Sequence, residues 1–150
     1  MLKGTGAVQV DIRISDLKTR VQKSVDFYNS NREKDDFDYH ATHGLQVISA
    51  RVSTLAQDNA EAHVVFEKET VRELCNPMGN MHGGATATLV DMSTTFAQAA
   101  ITKEGFWEFG GVSRTMGVTY LKPIVQGTII VIECSVRSVG KRSSELCYSY

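Results

Sequence analysis

The chain has 150 residues, 42% of them apolar and 22% charged, which is the composition of a single globular domain large enough to bury a core. Its 16 basic and 17 acidic residues leave a net charge of −1, which excludes a protein that binds nucleic acid or an anionic membrane through its overall charge. No run of residues reaches the roughly 18 apolar positions of a membrane span.

Cysteine usage and the N-terminus indicate an intracellular protein. The three cysteines, Cys75, Cys134 and Cys147, fit no zinc-ligand spacing and predict reduced thiols. The N-terminus lacks the apolar stretch of a signal peptide, and Asp11 and Asp16 count against a transit peptide. We therefore expect a cytoplasmic protein, with the mitochondrion as the alternative compartment.

The first predicted element is a helix over residues 15–30, with Ser15 as its N-cap. Its apolar positions fall near one face: Leu17, Val21, Val25 and Tyr28. Residues 29–38 are polar and predict a loop. We accordingly expect an N-terminal helical extension at residues 1–40 and a main domain at residues 41–150.

Two strands are predicted next, at residues 45–52 and 62–66, because apolar and β-branched side chains are frequent there. Residues 57–60 have the composition of a turn between them. Residues 67–74 are mixed in character and leave their secondary structure open.

The clearest helix runs from His82 to about Ile101, because apolar residues repeat there at spacings of three and four. A loop with glycines and aromatic residues follows at 105–111. Three strand-like runs complete the chain, at residues 112–122, 128–139 and 143–150, with turns at 123–127 and 140–142. This order predicts an α+β domain in which an antiparallel sheet packs on the long helix.

Two glycines, Gly83 and Gly84, open the long helix and suggest a site for a developing negative charge. The first turn of a helix leaves backbone N–H groups without partners, and glycine allows another group to approach them closely. Such donors stabilise a carbonyl oxygen that becomes negative during acyl transfer. The alternative interpretation is a tight junction between loop and helix that binds no ligand.

Asp91 lies on the same helix and is the candidate catalytic carboxylate. At 100° per residue, Gly84, Thr88, Asp91 and Thr95 form one stripe beside the apolar face, so we expect Asp91 to be half-buried. An ionised carboxylate there has two possible roles: base toward water, or direct attack on a carbonyl carbon. The alternative is a structural carboxylate that bonds Thr88, Thr95 or a neighbouring loop.

Gly83 and Asp91 are too far apart on one helix to act on the same carbonyl group. Eight residues of α-helix span about 12 Å, whereas reacting groups lie within roughly 3–3.5 Å. Two such helices packed antiparallel across a two-fold axis would bring the two groups together. The sequence therefore predicts a homodimer with shared sites.

The glycines and Asp91 belong to a longer motif, Asn-Pro-Met-Gly-Asn-Met-His-Gly-Gly-Ala-Thr-Ala-Thr-Leu-Val-Asp, at residues 76–91. This run resembles the core motif of the hotdog-fold acyl-CoA thioesterases, in the branch of thioesterase superfamily member 2 and the bacterial phenylacetate-pathway thioesterases. Residues 111–123 resemble the next strand of that family. The resemblance implies a hotdog fold, acyl-CoA hydrolysis in lipid metabolism, and a homodimer that assembles into a homotetramer.

The resemblance also implies roles for single residues. Asp91 matches the catalytic carboxylate, and Ser113 matches the serine that orients the attacking water. Gly83 and Asn76 match the groups that hold the thioester oxygen. His82 matches the motif histidine, which supports the loop or contacts the thioester region.

The CoA moiety of the substrate is expected at strand ends and turns. The resemblance places it near these residues: Gly84, Thr115, Tyr120, Leu121, Lys122, Pro123, Gly140, Lys141, Arg142 and Ser143. Three of them, Lys122, Lys141 and Arg142, supply the positive charge that a phosphate uses. The alternative is a pair of ordinary solvated turns.

The sequence departs from the family pattern in two places. The interval between Asp91 and Ser113 is longer and contains Phe106-Trp107-Glu108-Phe109, which we expect to reshape the acyl pocket. Members of the family also have a strand after the position of Tyr150, so we expect a sheet without its last strand.

Two other functions remain open. A hotdog dehydratase uses a histidine in a His-Phe-Pro context, whereas His82 precedes Gly83. A non-catalytic acyl-CoA-binding or scaffold domain would keep only the fold. For the thioesterase we expect no metal and no cofactor besides the CoA of the substrate.

Overall fold

The computed structural model describes residues 8–53, 60–137 and 145–149. The helices are α1 (Leu17–Ser30), α2 (Tyr39–Thr42) and α3 (Gly83–Ala97), with 3-10 turns at Arg72–Leu74 and Gln98–Ala100. The strands are β1 (Gln46–Val52), β2 (Ala60–Glu69), β3 (Ile129–Arg137) and β4 (Glu145–Ser149). The predicted α+β class and the long helix are confirmed.

The four strands form one antiparallel sheet in the order β1-β2-β3-β4. Because side chains alternate between the two faces of a strand, β3 buries Ile130, Ile132 and Val136 and exposes Ile129 and Val131. The buried face packs on α3, as expected for an antiparallel sheet around a central helix. This packing fixes α3, and with it the groups at its N-terminus.

The N-terminal helix α1 packs on the same core. Tyr28 meets Phe96 of α3 edge-to-face with ring centroids 5.5 Å apart, and its hydroxyl donates to Asp38. The prediction of Ser15 as N-cap is wrong, since the Asp16 carboxylate accepts from the Thr19 N–H at 2.9 Å. Both residue types cap helices well, and a charged acceptor at Asp16 complements the helix dipole. The domain boundary at residue 40 stays a prediction.

The predicted strands differ from the structure in two places. The second strand extends to Glu69, so residues 67–69 continue β2. Residues 112–122 are extended but belong to no strand of the described chain, and the prediction of a strand there is wrong for a single copy. A strand requires a hydrogen-bonded neighbour, and the described residues offer none beside this segment. Most of its apolar side chains are exposed, with Val112 at 90% and Leu121 at 83%, whereas Val118 is half-buried.

Three further expectations concern a turn, the cysteines and membrane-spanning helices. The turn predicted at residues 57–60 lies outside the described residues except for Ala60, which begins β2. Cys75 and Cys134 are free thiols, and burial raises the pKa of Cys134 to about 12. No helix among the described residues is both long and apolar enough to span a membrane.

Truncation of Phe96 should test the packing of α1 and the sheet on α3. Phe96 is 0% exposed, so Phe96→Ala should lower the free energy of unfolding by about 3–5 kcal/mol. Phe37→Ala is the matched control, because Phe37 is 91% exposed and its loss should change stability by less than about 0.5 kcal/mol. Urea denaturation measures both, and equal effects would contradict the assigned core.

Candidate active site

The loop before α3 is organised by the side chain of Asn76. Its Oδ1 accepts from the N–H groups of Met78 at 3.0 Å and Asn80 at 3.2 Å, and the Asn76 N–H donates to the Asn80 carbonyl at 2.7 Å. Gly79 completes the turn with φ of +78°, a conformation that favours glycine. Because Oδ1 already accepts two hydrogen bonds from the loop, the side-chain amide N–H₂ is the group of Asn76 that is available to hold a substrate oxygen.

His82 caps α3 and accepts a hydrogen bond from one of the two glycine N–H groups. Its Nδ1 accepts from the Gly84 N–H at 3.0 Å, so Nδ1 carries no proton and Nε2 carries the hydrogen of the neutral ring. The first backbone bond of the helix runs from the Thr86 N–H to the His82 carbonyl at 3.0 Å. The Gly83 N–H precedes that bond and has no intrahelical acceptor. Of the two predicted donors, Gly83 is therefore the one suited to a ligand.

Asp91 lies two turns further along α3 and is half-buried, as the stripe predicted. Its Oδ1 accepts a hydrogen bond from the Ser113 hydroxyl, 22 residues along the chain. Thr88 and Thr95 instead donate to main-chain carbonyls, those of Gly84 at 2.9 Å and Asp91 at 2.8 Å. The structure thus joins Asp91 to Ser113, and the second carboxylate oxygen is free of these threonines.

A cleft of about 450 Å³ joins Asn76 and Gly83 to the turn that was predicted to bind CoA. Four residues of that prediction line it: Tyr120, Leu121, Lys122 and Pro123. The remaining lining residues are Asn80, Met81, Thr86 and Ile124, which the sequence did not single out. Lys122 is the basic residue among those that line the cleft, and it is exposed there.

Other predicted binding residues lie elsewhere. Thr115 is exposed on the extended segment and is not part of the cleft. Gly140, Lys141, Arg142 and Ser143 lie outside the described residues. Asp91 and Ser113 are also separate from the cleft, since α3 holds Asp91 eight residues, or about 12 Å, from Gly83.

The loop between α3 and Ser113 is a defined turn. The Thr102 hydroxyl donates to the Trp107 carbonyl at 3.2 Å, and the Gly105 N–H donates to Glu108 at 2.6 Å. A Cβ on Gly110 would lie 3.5 Å from the Thr95 methyl, so the loop returns to α3 one turn beyond Asp91. The loop also borders a second hollow of about 710 Å³, against residues 9–14 and α1. The effect of this loop on the shape of an acyl pocket stays a prediction.

Comparison with known proteins shows what this fold and motif are similar to. The family model of the thioesterase superfamily matches residues 78–149. Human acyl-coenzyme A thioesterase 13 is 40% identical over 82 residues, 55% of this chain and 56% of its own length. The chain thus spans about half the length of the curated relatives it matches.

Solved structures show the same similarity. Zebrafish thioesterase superfamily member 2 has a TM-score of 0.62 at 27% identity, covering 83% of this chain and 78% of its own. The mouse protein of the same name, at 24% identity, shares the fold with a TM-score of 0.61 over 85% of this chain and 79% of its own. The fold and the motif of this chain are thus similar to those of the hotdog-fold thioesterases, and the resemblance predicted from the sequence is confirmed.

Substitution of His82 should separate a capping role from contact with a ligand. His82→Ala removes the acceptor for Gly84 and should lower the free energy of unfolding by about 1 kcal/mol. His82→Asn is the matched control, because asparagine also caps helices and should restore that stability. Thermal unfolding measures both. Equal stability of His82→Ala and wild type would contradict the capping role.

Proposed function

We propose that this protein hydrolyses acyl-CoA thioesters to a free acid and CoA, in sites shared by two copies of the chain. The observation that carries the proposal is the Asp91–Ser113 hydrogen bond. It joins a half-buried carboxylate to a hydroxyl at two positions that the family motif pairs for chemistry. The name of the human relative, acyl-coenzyme A thioesterase 13, supports acyl-CoA as the substrate.

The proposed reaction uses Asp91 and Ser113 of one copy. Ser113 orients a water molecule while Asp91 takes its proton, and the water oxygen attacks the thioester carbon. The carbonyl oxygen becomes negative in the tetrahedral intermediate. As the carbonyl re-forms, the C–S bond breaks, and the CoA sulfur leaves with the proton. In the second route open to this geometry, the Asp91 carboxylate attacks the thioester carbon and the C–S bond breaks to release the CoA thiolate. Water then hydrolyses the resulting mixed anhydride to the free acid and the Asp91 carboxylate.

The negative oxygen would be held by the other copy. The Gly83 N–H and the Asn76 amide N–H₂ are donors at the cleft that also contains Lys122. A shared site is required because α3 holds Gly83 about 12 Å from Asp91 of the same copy. The exposed apolar side chains of residues 112–122 support pairing of two copies, and further assembly into a homotetramer is proposed on family resemblance alone. We also propose cytoplasmic activity without a metal or cofactor.

Asp91→Asn should lower turnover by at least about a hundredfold, because an amide does not accept the proton of water at neutral pH. The substitution keeps an oxygen for Ser113, so the fold and the dimer should persist. Release of free CoA from a panel of acyl-CoA thioesters measures the effect, and Asp35→Asn, at an exposed position, is the control. Undiminished turnover in Asp91→Asn would refute its role. Acyl-CoA binding without turnover in the wild type would indicate a scaffold domain instead.

Mixed dimers should test whether the site is shared. Asn76→Asp keeps the oxygen that organises the loop but replaces the donor N–H₂ with a negative oxygen, so it should be inactive alone. A dimer of one Asn76→Asp copy and one Asp91→Asn copy contains one site with both native groups. Random mixing should therefore restore about a quarter of wild-type turnover. No restoration, with heterodimers demonstrated by two affinity tags, would place the site within one chain.

A further inference from the structure

Tyr120 makes two contacts with the first residue of α3. Its hydroxyl donates to the Gly83 carbonyl at 2.9 Å, although the two residues are 37 positions apart in the sequence. Its ring also covers the glycine, since a Cβ on Gly83 would lie 3.5 Å from Cζ and 3.6 Å from Cε1. Both residues line the cleft that contains Asn76 and Lys122. Tyr120 therefore restrains the Cα and the carbonyl of Gly83, the residue whose N–H is the proposed donor to oxygen.

Gly83 is a residue at which such a restraint matters. Glycine has the widest choice of backbone conformations, and the first residue of a helix lacks an intrahelical bond from its own N–H. The neighbouring Gly84 amide is held by His82 at 3.0 Å. Tyr120 holds the Gly83 carbonyl, which belongs to the same peptide as the Gly84 N–H. Of the two glycine N–H groups, that of Gly83 thus has no acceptor among the described contacts, and Gly83 lines the cleft.

We infer that Tyr120 is a positioning residue for the Gly83 amide, and this inference rests on the proposed thioesterase function. Donors that stabilise a developing oxyanion act through their fixed orientation before the reaction begins. The Gly83 N–H lies in the preceding peptide, one Cα away from the carbonyl that Tyr120 holds. Loss of the hydroxyl would free the torsions on both sides of the Gly83 Cα, and the N–H would be aligned less well with the oxygen in the transition state. The ring would still cover the cleft, so binding of the ground-state substrate would change little.

The position of Tyr120 separates this role from simple contact with CoA. Tyr120 is 53% exposed and lines the same cleft as Lys122, so a ring that only contacted CoA would contribute to substrate affinity. A substrate-contact role predicts a higher KM with kcat unchanged, whereas a positioning role predicts a lower kcat with KM unchanged. The two roles therefore differ in a quantity that one kinetic experiment measures.

Tyr120→Phe tests the inference because it removes the hydroxyl and keeps the ring. We expect kcat for CoA release to fall about three- to tenfold, with KM within a factor of two, as for one lost neutral hydrogen bond. Tyr39→Phe is the matched control, since Tyr39 begins α2, stacks on His43 just after that helix and is not part of the cleft. An unchanged kcat in Tyr120→Phe, or a rise in KM alone, would overturn the inference.

A spectroscopic measurement gives a second readout. A ketone analogue of the substrate, with a methylene in place of sulfur and carbon-13 at the carbonyl, does not hydrolyse. Its carbonyl resonance should move downfield on binding to wild-type protein and move less on binding to Tyr120→Phe. Equal shifts in both proteins would contradict the positioning role. Absence of turnover in the wild type would instead refute the proposed function, so the two failures are distinguishable.

Discussion

The packing of α3 is the constraint on which the proposed site depends. Three residues of α3 are buried in the core beside the sheet, so packing fixes the helix along its length: Leu89, Phe96 and Ala97. Gly83 and Asp91 therefore lie at fixed positions two turns apart, about 12 Å along the helix axis. No side-chain rotation closes that distance. The chemistry proposed for this protein therefore requires a second copy, and the need for it follows from helix geometry.

In the first turn of α3, one of the two glycine N–H groups remains available to a ligand. His82 accepts the Gly84 N–H, and Tyr120 donates to the Gly83 carbonyl. Asn76 uses its oxygen to shape the preceding loop, which leaves its amide N–H₂. Polar groups that are already satisfied do not need to reorganise during a reaction, which is the physical basis of a preorganised site. Among the groups at these three positions, the Gly83 N–H and the Asn76 N–H₂ are thus the donors that remain for the substrate oxygen.

Much of this arrangement was predictable from periodicity and spacing. The three-and-four repeat located α3, and the 100° rotation per residue placed Asp91 beside the buried face. The cap at Asp16 was missed because Ser15 and Asp16 satisfy the same local rule one position apart. The hydrogen bond between Tyr120 and Gly83 was not predictable from a local sequence pattern, since it joins residues 37 positions apart. Residues 112–122 have the composition of a strand, but a strand also requires a neighbour, and composition does not supply one.

That extended segment connects the two chemical groups of α3. At one end Ser113 donates to Asp91, and at the other Tyr120 donates to Gly83, so the segment runs antiparallel to the helix. Between these contacts it has no strand neighbour in the described chain, and Met116 is exposed. Each copy makes the Ser113 and Tyr120 contacts by itself, so both halves of its own contribution are formed before any pairing. If two copies pair as proposed, a separated copy would keep these bonds and lack only the donors or the carboxylate of its partner.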